Sequence, residues 1–313
     1  MNKKTPNHNS DTPGEFELIR RFFCSGFPPS THTRIGIGDD ASIVQPPAHH
    51  ELIQSIDTQV ADVHFPASAP ARLIAQRALR CAVSDLAAMG ATPQGFHLAL
   101  TLPQANASWL DDFSQGLKQA ASELNISLLG GDTTRGKQLV ISFAVQGWVA
   151  SGRALTRNQA QAGDQLYLSG PIGAAALALE QVLQHPADDS GLAARYYYPE
   201  VHLALGQALI GVASACLDIS DGLIQDAGHI ARASALTVNI DALSVDVADA
   251  SQRSQCLTGG DDYQLLFSSS DHQAIHQLQQ QFPGIHAIGQ CRPGPAVVDV
   301  QGLELQHTGF SHF

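Results

Sequence analysis

Paired cysteines, long apolar runs and basic residues are what this 313-residue sequence is short of. Its five cysteines (Cys24, Cys81, Cys216, Cys256 and Cys291) lie far apart, without the paired spacing of zinc or dithiol chemistry. Reduced, mostly buried thiols are expected. No apolar stretch approaches a membrane span, and residues 1–13 are polar without the apolar centre of a secretory leader, which together point to the cytoplasm. Seventeen basic residues against 29 acidic leave a net charge of −12, a poor match for nucleic acid. An acidic protein that handles anionic phosphates needs a metal to invert the local sign.

What is present, 44% hydrophobic and 15% charged residues, suits a soluble globular protein, and the length suits two domains. Residues 1–13 read as a disordered extension, 14–151 as a first α/β domain, 152–163 as a small polar linker and 164–313 as a second α/β domain. Helical spacing covers 15–23, 70–89, 108–124, the stretch ending at 183, 201–212, 222–233 and 271–282. Strands are expected at 51–57, 95–102, 139–149, 164–169, 236–240, 263–267, 285–288 and 296–300. Asp85 falls near the apolar stripe of the 70–89 helix, where a charge needs a partner.

Aspartates recur in short segments that read as turns. Gly36-Ile37-Gly38-Asp39-Asp40-Ala41 opens the series, followed by Ser55-Ile56-Asp57-Thr58, Ser84-Asp85 and Gly130-Gly131-Asp132-Thr133. Asp218-Ile219-Ser220-Asp221-Gly222 and Gly259-Gly260-Asp261-Asp262 complete it. Singly, each is an ordinary Asp/Gly turn. Together they imply a carboxylate cluster, and two unit charges about 4 Å apart repel by roughly 4 kcal/mol near a protein surface, so cations must sit among them. Magnesium bound to oxygen ligands and substrate phosphates is the expected occupant.

Two nucleotide motifs are imitated but disfavoured. Gly36-x-Gly38-x-x-Ala41 imitates a dinucleotide fingerprint, but Asp39 and Asp40 in the turn would repel a bare pyrophosphate. Gly131 to Lys137 imitates a P-loop, but Gln138 lacks the metal-holding hydroxyl and a strand-like run follows where a helix is required. Asp218-x-Ser220 with Gly222 is also one position short of a calcium loop.

These segments, with Asp57-Thr58 followed by His64-Phe65, Ser84 to Ala91, Gly130 to Gly136, Gly152 to Arg157, Asp218 to Leu223, Gly259 to Tyr263 and Gly309 to Phe313, resemble the thiamine-monophosphate kinase family. The resemblance runs in order from about residue 14 to the end. It implies the fold of the aminoimidazole ribonucleotide synthetase superfamily, neither Rossmann nor P-loop. It also implies a homodimer whose N-terminal, ATP- and metal-binding halves join their sheets, each active site being covered by a C-terminal α/β domain. The implied reaction is ATP plus thiamine monophosphate giving ADP and thiamine diphosphate, with several Mg2+ ions.

Carried over by motif, Asp40, Ser55, Asp57, Asp85, Asp132, Asp218 and Asp221 correspond to metal ligands. Gly131, Asp132, Arg157 and Ser220 correspond to ATP contacts, and His64, Asp261 and Phe310 to contacts with the thiamine phosphate. Asp85, Asp132 and Arg157 would carry the catalytic load. Three positions depart from the pattern: Ile56 replaces a Thr, Asp261 a Glu, and Phe310 a Tyr or Trp, keeping a ring face for a cationic thiazolium.

The acceptor oxygen belongs to a phosphate largely ionised near neutral pH, so direct in-line transfer without a strong base or a phosphoenzyme is expected. The alternatives are another ATP-using member of the superfamily, distinguished by His64, Asp261 and the terminal aromatic, and a non-catalytic sensor of thiamine phosphates or ATP.

Overall fold

The computed structural model describes residues 15–305 and 307–309. The expected extension at 1–13 and the contact expected at Phe310 lie outside the described residues. Helix α1 (Glu15–Phe22) leads into a ribbon of β1 (Thr33–Ile35) and β2 (Ile43–Val44). Then come β3 (His50–Val60), α2 (Ala71–Ala88), β4 (Thr92–Leu102), α3 (Ala107–Glu123), β5 (Ser127–Arg135) and β6 (Val140–Ala150). Their four strands form a sheet in the order β3-β6-β4-β5, antiparallel except for β4 with β5.

The second half supplies β7 (Gln165–Leu168), α4 (Ala174–Gln184), α5 (Gly191–Tyr197), α6 (Leu203–Ala208), β8 (Ala215–Asp218) and α7 (Leu223–Ser234). It continues through β9 (Thr237–Asp241), α8 (Arg253–Thr258), β10 (Leu265–Ser269), α9 (His272–Gln281), β11 (His286–Arg292) and β12 (Val298–Gln301). Its six strands run in the order β12-β9-β11-β7-β10-β8, with only β12 and β9 parallel. Antiparallel pairing dominates both sheets, unlike the parallel sheet of a dinucleotide fold.

Alternation along β3 sorts its side chains onto two faces. Ser55, Asp57 and Gln59 share a row parity with Phe143 and face the core, whereas Leu52, Ile56 and Thr58 point the other way. Helix α2 covers the first face, and Leu73, Ile74, Ala78, Cys81, Ala82 and Leu86 are all buried, as their spacing predicts. Pro70 precedes the helix rather than opening it, and Asp112 of α3 accepts the Arg72 N–H at 3.0 Å in place of a local cap.

The helix also joins the two halves. The core around α2 includes Ala175, Val182, Tyr196 and Tyr197 of the second half, and Ala87 and Ala88 pack with Leu205, Leu209 and Phe267. The segment expected as a linker is tied down on both sides: Leu155 donates to the Met89 carbonyl at 3.1 Å, and Thr156 accepts from Cys216 at 3.0 Å.

Of the segments read as turns, residues 55–58 lie inside β3 and Ser84 and Asp85 in the last turns of α2, in keeping with the strand and helix expected there, whereas Gly130 to Thr133 lie inside β5, where no strand is expected. Strand β5 is hidden by its glycines, but a Cβ at Gly131 would sit 2.0 Å from the Leu98 carbonyl oxygen, so pairing with β4 demands glycine there. The helix expected over 201–212 contracts to α6.

Candidate active site

The acidic residues assemble around the α2 face that looks at β3. Ser55 donates its hydroxyl to Asp85 Oδ2, and one residue earlier Ser84 donates to Asp218 Oδ2 at 2.6 Å, so two adjacent positions of one helix reach a strand of each half. Asp57 joins them from β3, accepting from Gln59 Nε2 at 3.4 Å. Burial pushes the Asp57 carboxyl up, eased by the Gln59 bond and reinforced by Asp85. Burial, then repulsion from Asp85, pushes Asp218 up to about 7. Three carboxylates from three elements thus converge, and among the described residues none of their hydrogen-bond partners is a cation.

The donor set fits a hard divalent ion. Gln59 Oε1 is buried beside Asp57 with no hydrogen-bond partner among the described residues, a carbonyl oxygen suited to a cation or its bound water. Gln59 escaped the sequence reading because a Gln in a strand carries no motif.

The turn after β8 is built on Asp226, another residue the sequence did not single out. One of its carboxylate oxygens accepts the N–H groups of Ser220, Asp221 and Gly222 at 3.0, 3.0 and 3.1 Å, which places Ser220 and Asp221 beside Asp218. Burial, opposed by these bonds, leaves Asp226 at about 6. Its signal was position, an acidic residue in the first turn of α7. Asp221, Asp226 and His229 also bring ligand atoms within 4.8 Å of one another. Asp226 is already satisfied by backbone, so we assign it a structural role. The Arg157 charge acts on His229 and its carbonyl accepts from Ser234 at 3.0 Å, which sets this arginine beside α7.

The residues expected at the acceptor substrate approach the same region. His64 accepts from the Val60 N–H at 3.0 Å, interacts electrostatically with Asp57, and its carbonyl accepts from Tyr196 at 2.7 Å. Asp261 pairs with Arg77 at 2.6 Å, and its backbone N–H donates to Ser220 at 2.9 Å, locking the 259–264 loop onto the 218–222 turn. Asp262 turns away and caps α4, accepting from the Gly173 N–H at 2.8 and 2.9 Å.

Asp40, Gly131 and Asp132 lie elsewhere. Asp132 shares a sheet row with Ala99, Ser142 and Thr58, which places it on the face opposite Asp57. It is also three strands away, about 14 Å at ~4.8 Å per strand. With Asp40, Gly130, His97 and Ile56 it lines a cavity of about 920 Å³ on the sheet's open face. A single pocket collecting every expected carboxylate is therefore not formed within one chain. The physical reason is strand alternation: Asp57 and Asp132 have opposite parity in a shared register. Ile56 shows the same rule, its side chain 70% exposed between core-facing Ser55 and Asp57.

Comparison with known proteins agrees with this architecture. Residues 38–149 match the family described as AIR synthase related protein, N-terminal domain. Thiamine-monophosphate kinase of Escherichia coli (strain K12) is 41% identical over 269 residues, 82% of each chain. The crystal structure of thiamine-monophosphate kinase from Stenotrophomonas maltophilia K279a superposes with a TM-score of 0.80 at 37% identity, covering 87% of this chain and 92% of that one. AaThiL complexed with AMPPCP and TMP superposes at 0.76, with 26% identity and 88% and 92% coverage. On the identity and coverage of these relatives, the chain belongs to the thiamine-monophosphate kinase family.

Proposed function

We propose that the protein transfers the terminal phosphoryl group of ATP to the phosphate of thiamine monophosphate, releasing ADP and thiamine diphosphate. The observation that carries this reading is the convergence of Asp57, Asp85 and Asp218 around α2, beside a turn and a loop that hold Ser220 and Asp261. Mg2+ held by these carboxylates, with Ser55, Asp221 and Gln59 at the margin, would neutralise and bridge the polyphosphate charge.

The remaining work is alignment. Arg157, exposed beside α7, offers a fixed guanidinium to the phosphate chain, and Ser220 accompanies it. His64 and Asp261 orient the acceptor. An ionised phosphate oxygen attacks the terminal phosphorus as the bond to the ADP oxygen breaks, so no side chain takes up a phosphoryl group. The cysteines suit that role poorly, since burial raises the Cys81 thiol to about 12. Free cysteines among the described residues are in keeping with a cytoplasmic protein.

Homodimerisation belongs to the same proposal. The open sheet face exposes Leu52 and Ile56 beside the Asp40 and Asp132 cavity, and a second copy docked there would cover the apolar surface and enclose those carboxylates. The deciding assay is ADP release by the purified protein with ATP, Mg2+ and thiamine monophosphate. Release that depends on the acceptor and yields thiamine diphosphate supports the reading; binding of both ligands without turnover would replace it with a sensor.

A further inference from the structure

Arg77 is used nowhere in that reaction, yet it sits on the functional face of α2, with Cys81 one turn and Asp85 two turns further on. Its side chain is 2% exposed. Nη2 donates to Asp261 Oδ1 at 2.6 Å, Nη1 donates to the Tyr196 carbonyl at 2.9 Å, and the guanidinium carbon lies 3.9 Å over the Tyr196 ring. Burial is the largest single influence and works against the charge, but Asp261, Cys81, Tyr196 and Tyr263 together outweigh burial and hold the guanidinium protonated. Among the described residues the buried Nε has no hydrogen-bond partner, so the position is not optimised as a structural clamp.

Asp261 is held just as firmly. It has φ +71° and Tyr263 has φ +53°, left-handed backbone that disfavours residues other than glycine. The loop keeps that shape because Asp261 and Tyr263 donate to the Ser220 and Ile219 carbonyls at 2.9 and 2.8 Å. The Tyr263 hydroxyl reaches the same Asp261 Oδ1 at 3.3 Å. Among the described residues the bonds to this carboxylate fall on Oδ1, while the side chain remains 36% exposed at the edge of a cavity of about 580 Å³.

We propose that Arg77 is a positioning residue for the acceptor: it pins Asp261 Oδ1 so that Oδ2 is presented to an N–H donor of an amine-bearing heterocycle. The inference rests on the kinase reading, in which the acceptor's aminopyrimidine supplies that donor. It also gives the shortened acid a function, since an Asp fixed by a buried arginine needs no extra methylene to find its place.

The test compares full-length wild type with Arg77→Lys, Arg77→Gln, Asp261→Asn and the Arg77→Gln/Asp261→Asn double variant. Initial rates of ADP release are measured against each substrate in turn. Arg77→Gln is expected to raise KM for thiamine monophosphate by at least tenfold, with kcat and KM for ATP within threefold. Arg77→Lys should fall between it and wild type, and the double variant should be no worse than the poorer single variant. An unchanged acceptor KM, equal losses for both substrates, or multiplying effects in the double variant would overturn the proposal.

If Arg77→Gln does not accumulate as folded protein, Arg77→Lys decides. A threefold rise in acceptor KM alone supports the role, and wild-type behaviour removes it. A wild-type chain that releases no ADP would instead overturn the kinase reading. The positioning role would then be judged by amide exchange: Asp261 and Tyr263 exchanging at least tenfold faster in Arg77→Lys keep it, and equal rates end it.

Discussion

Single residues at the site hold their geometry against their own electrostatics. Asp218 is buried, pushed up to about 7, and held by one Ser84 hydroxyl at 2.6 Å, so its charged form needs more than the protein gives it. Asp85 lies between Asp57 and Asp218 and repels both. Asp85→Asn is therefore expected to lower kcat on the order of 100-fold or more by weakening the metal site. In chelator it should raise unfolding free energy by about 1 kcal/mol, because one member of a repelling set is gone. Steady-state rates and urea unfolding in EDTA read the two effects, and normal turnover with unchanged stability would sink the cluster. Asp40, Ser55, Asp57 and Asp85 were legible one by one in the sequence, whereas Gln59, Asp226 and Arg77 acquired meaning only from what lies opposite them.

At the scale of elements, α2 decides the arrangement. Its apolar stripe was readable from the spacing of Leu73, Ile74, Ala78, Ala82 and Leu86, and so was the oddity of Asp85 beside it. That the helix would be buried almost all round was not readable, because Arg77 and Ser84 are buried polar residues whose partners come from distant chain segments. The crossing with α3 is close enough that a Cβ on Gly116 would sit 2.3 Å from the Arg72 carbonyl oxygen. Gly116→Ala must push the helices apart, and a loss of about 1–3 kcal/mol in urea-derived unfolding free energy is expected. Because α2 carries Ser84 and Asp85, Mg2+ affinity should weaken in the same variant. A variant as stable as wild type would show that the contact can relax at no cost.

For the whole molecule, pH and metal should act together. Asp218 and Asp262, pushed up chiefly by burial to about 7, and Asp226, up to about 6, bind protons more tightly folded than unfolded. Their contribution is full below the ordinary carboxylate range and is lost as pH rises toward 7. His97 and His202, lowered chiefly by burial, have the opposite sign and add stability as pH rises through 6.5. A divalent ion on the Asp57, Asp85 and Asp218 group displaces protons from it, so MgCl2 should raise the unfolding temperature more at pH 8 than at pH 5.5. Equal shifts at the two pH values in a thermal melt would place the ion elsewhere. The open sheet face gives a second prediction at this scale, resting on the proposed homodimer: Ile56→Lys, at a position 70% exposed, should shift sedimentation toward the monomer without altering the fold. A wild-type sedimentation profile would locate the interface on another surface.

The amino-acid order alone determined the family, the alternation of helices and strands, the case against dinucleotide and P-loop chemistry, and most of the acidic residues. Those properties are carried by short stretches whose spacing and composition are local. Tertiary structure decided which carboxylates meet. Register and strand parity put Asp57 and Asp132 on opposite faces of one sheet, while α2 reaches Asp218 through Ser84 and, through Arg77, Asp261 from 184 residues away. A two-residue period is visible in a strand, but which partner it faces depends on pairing between distant segments, and no local pattern encodes that.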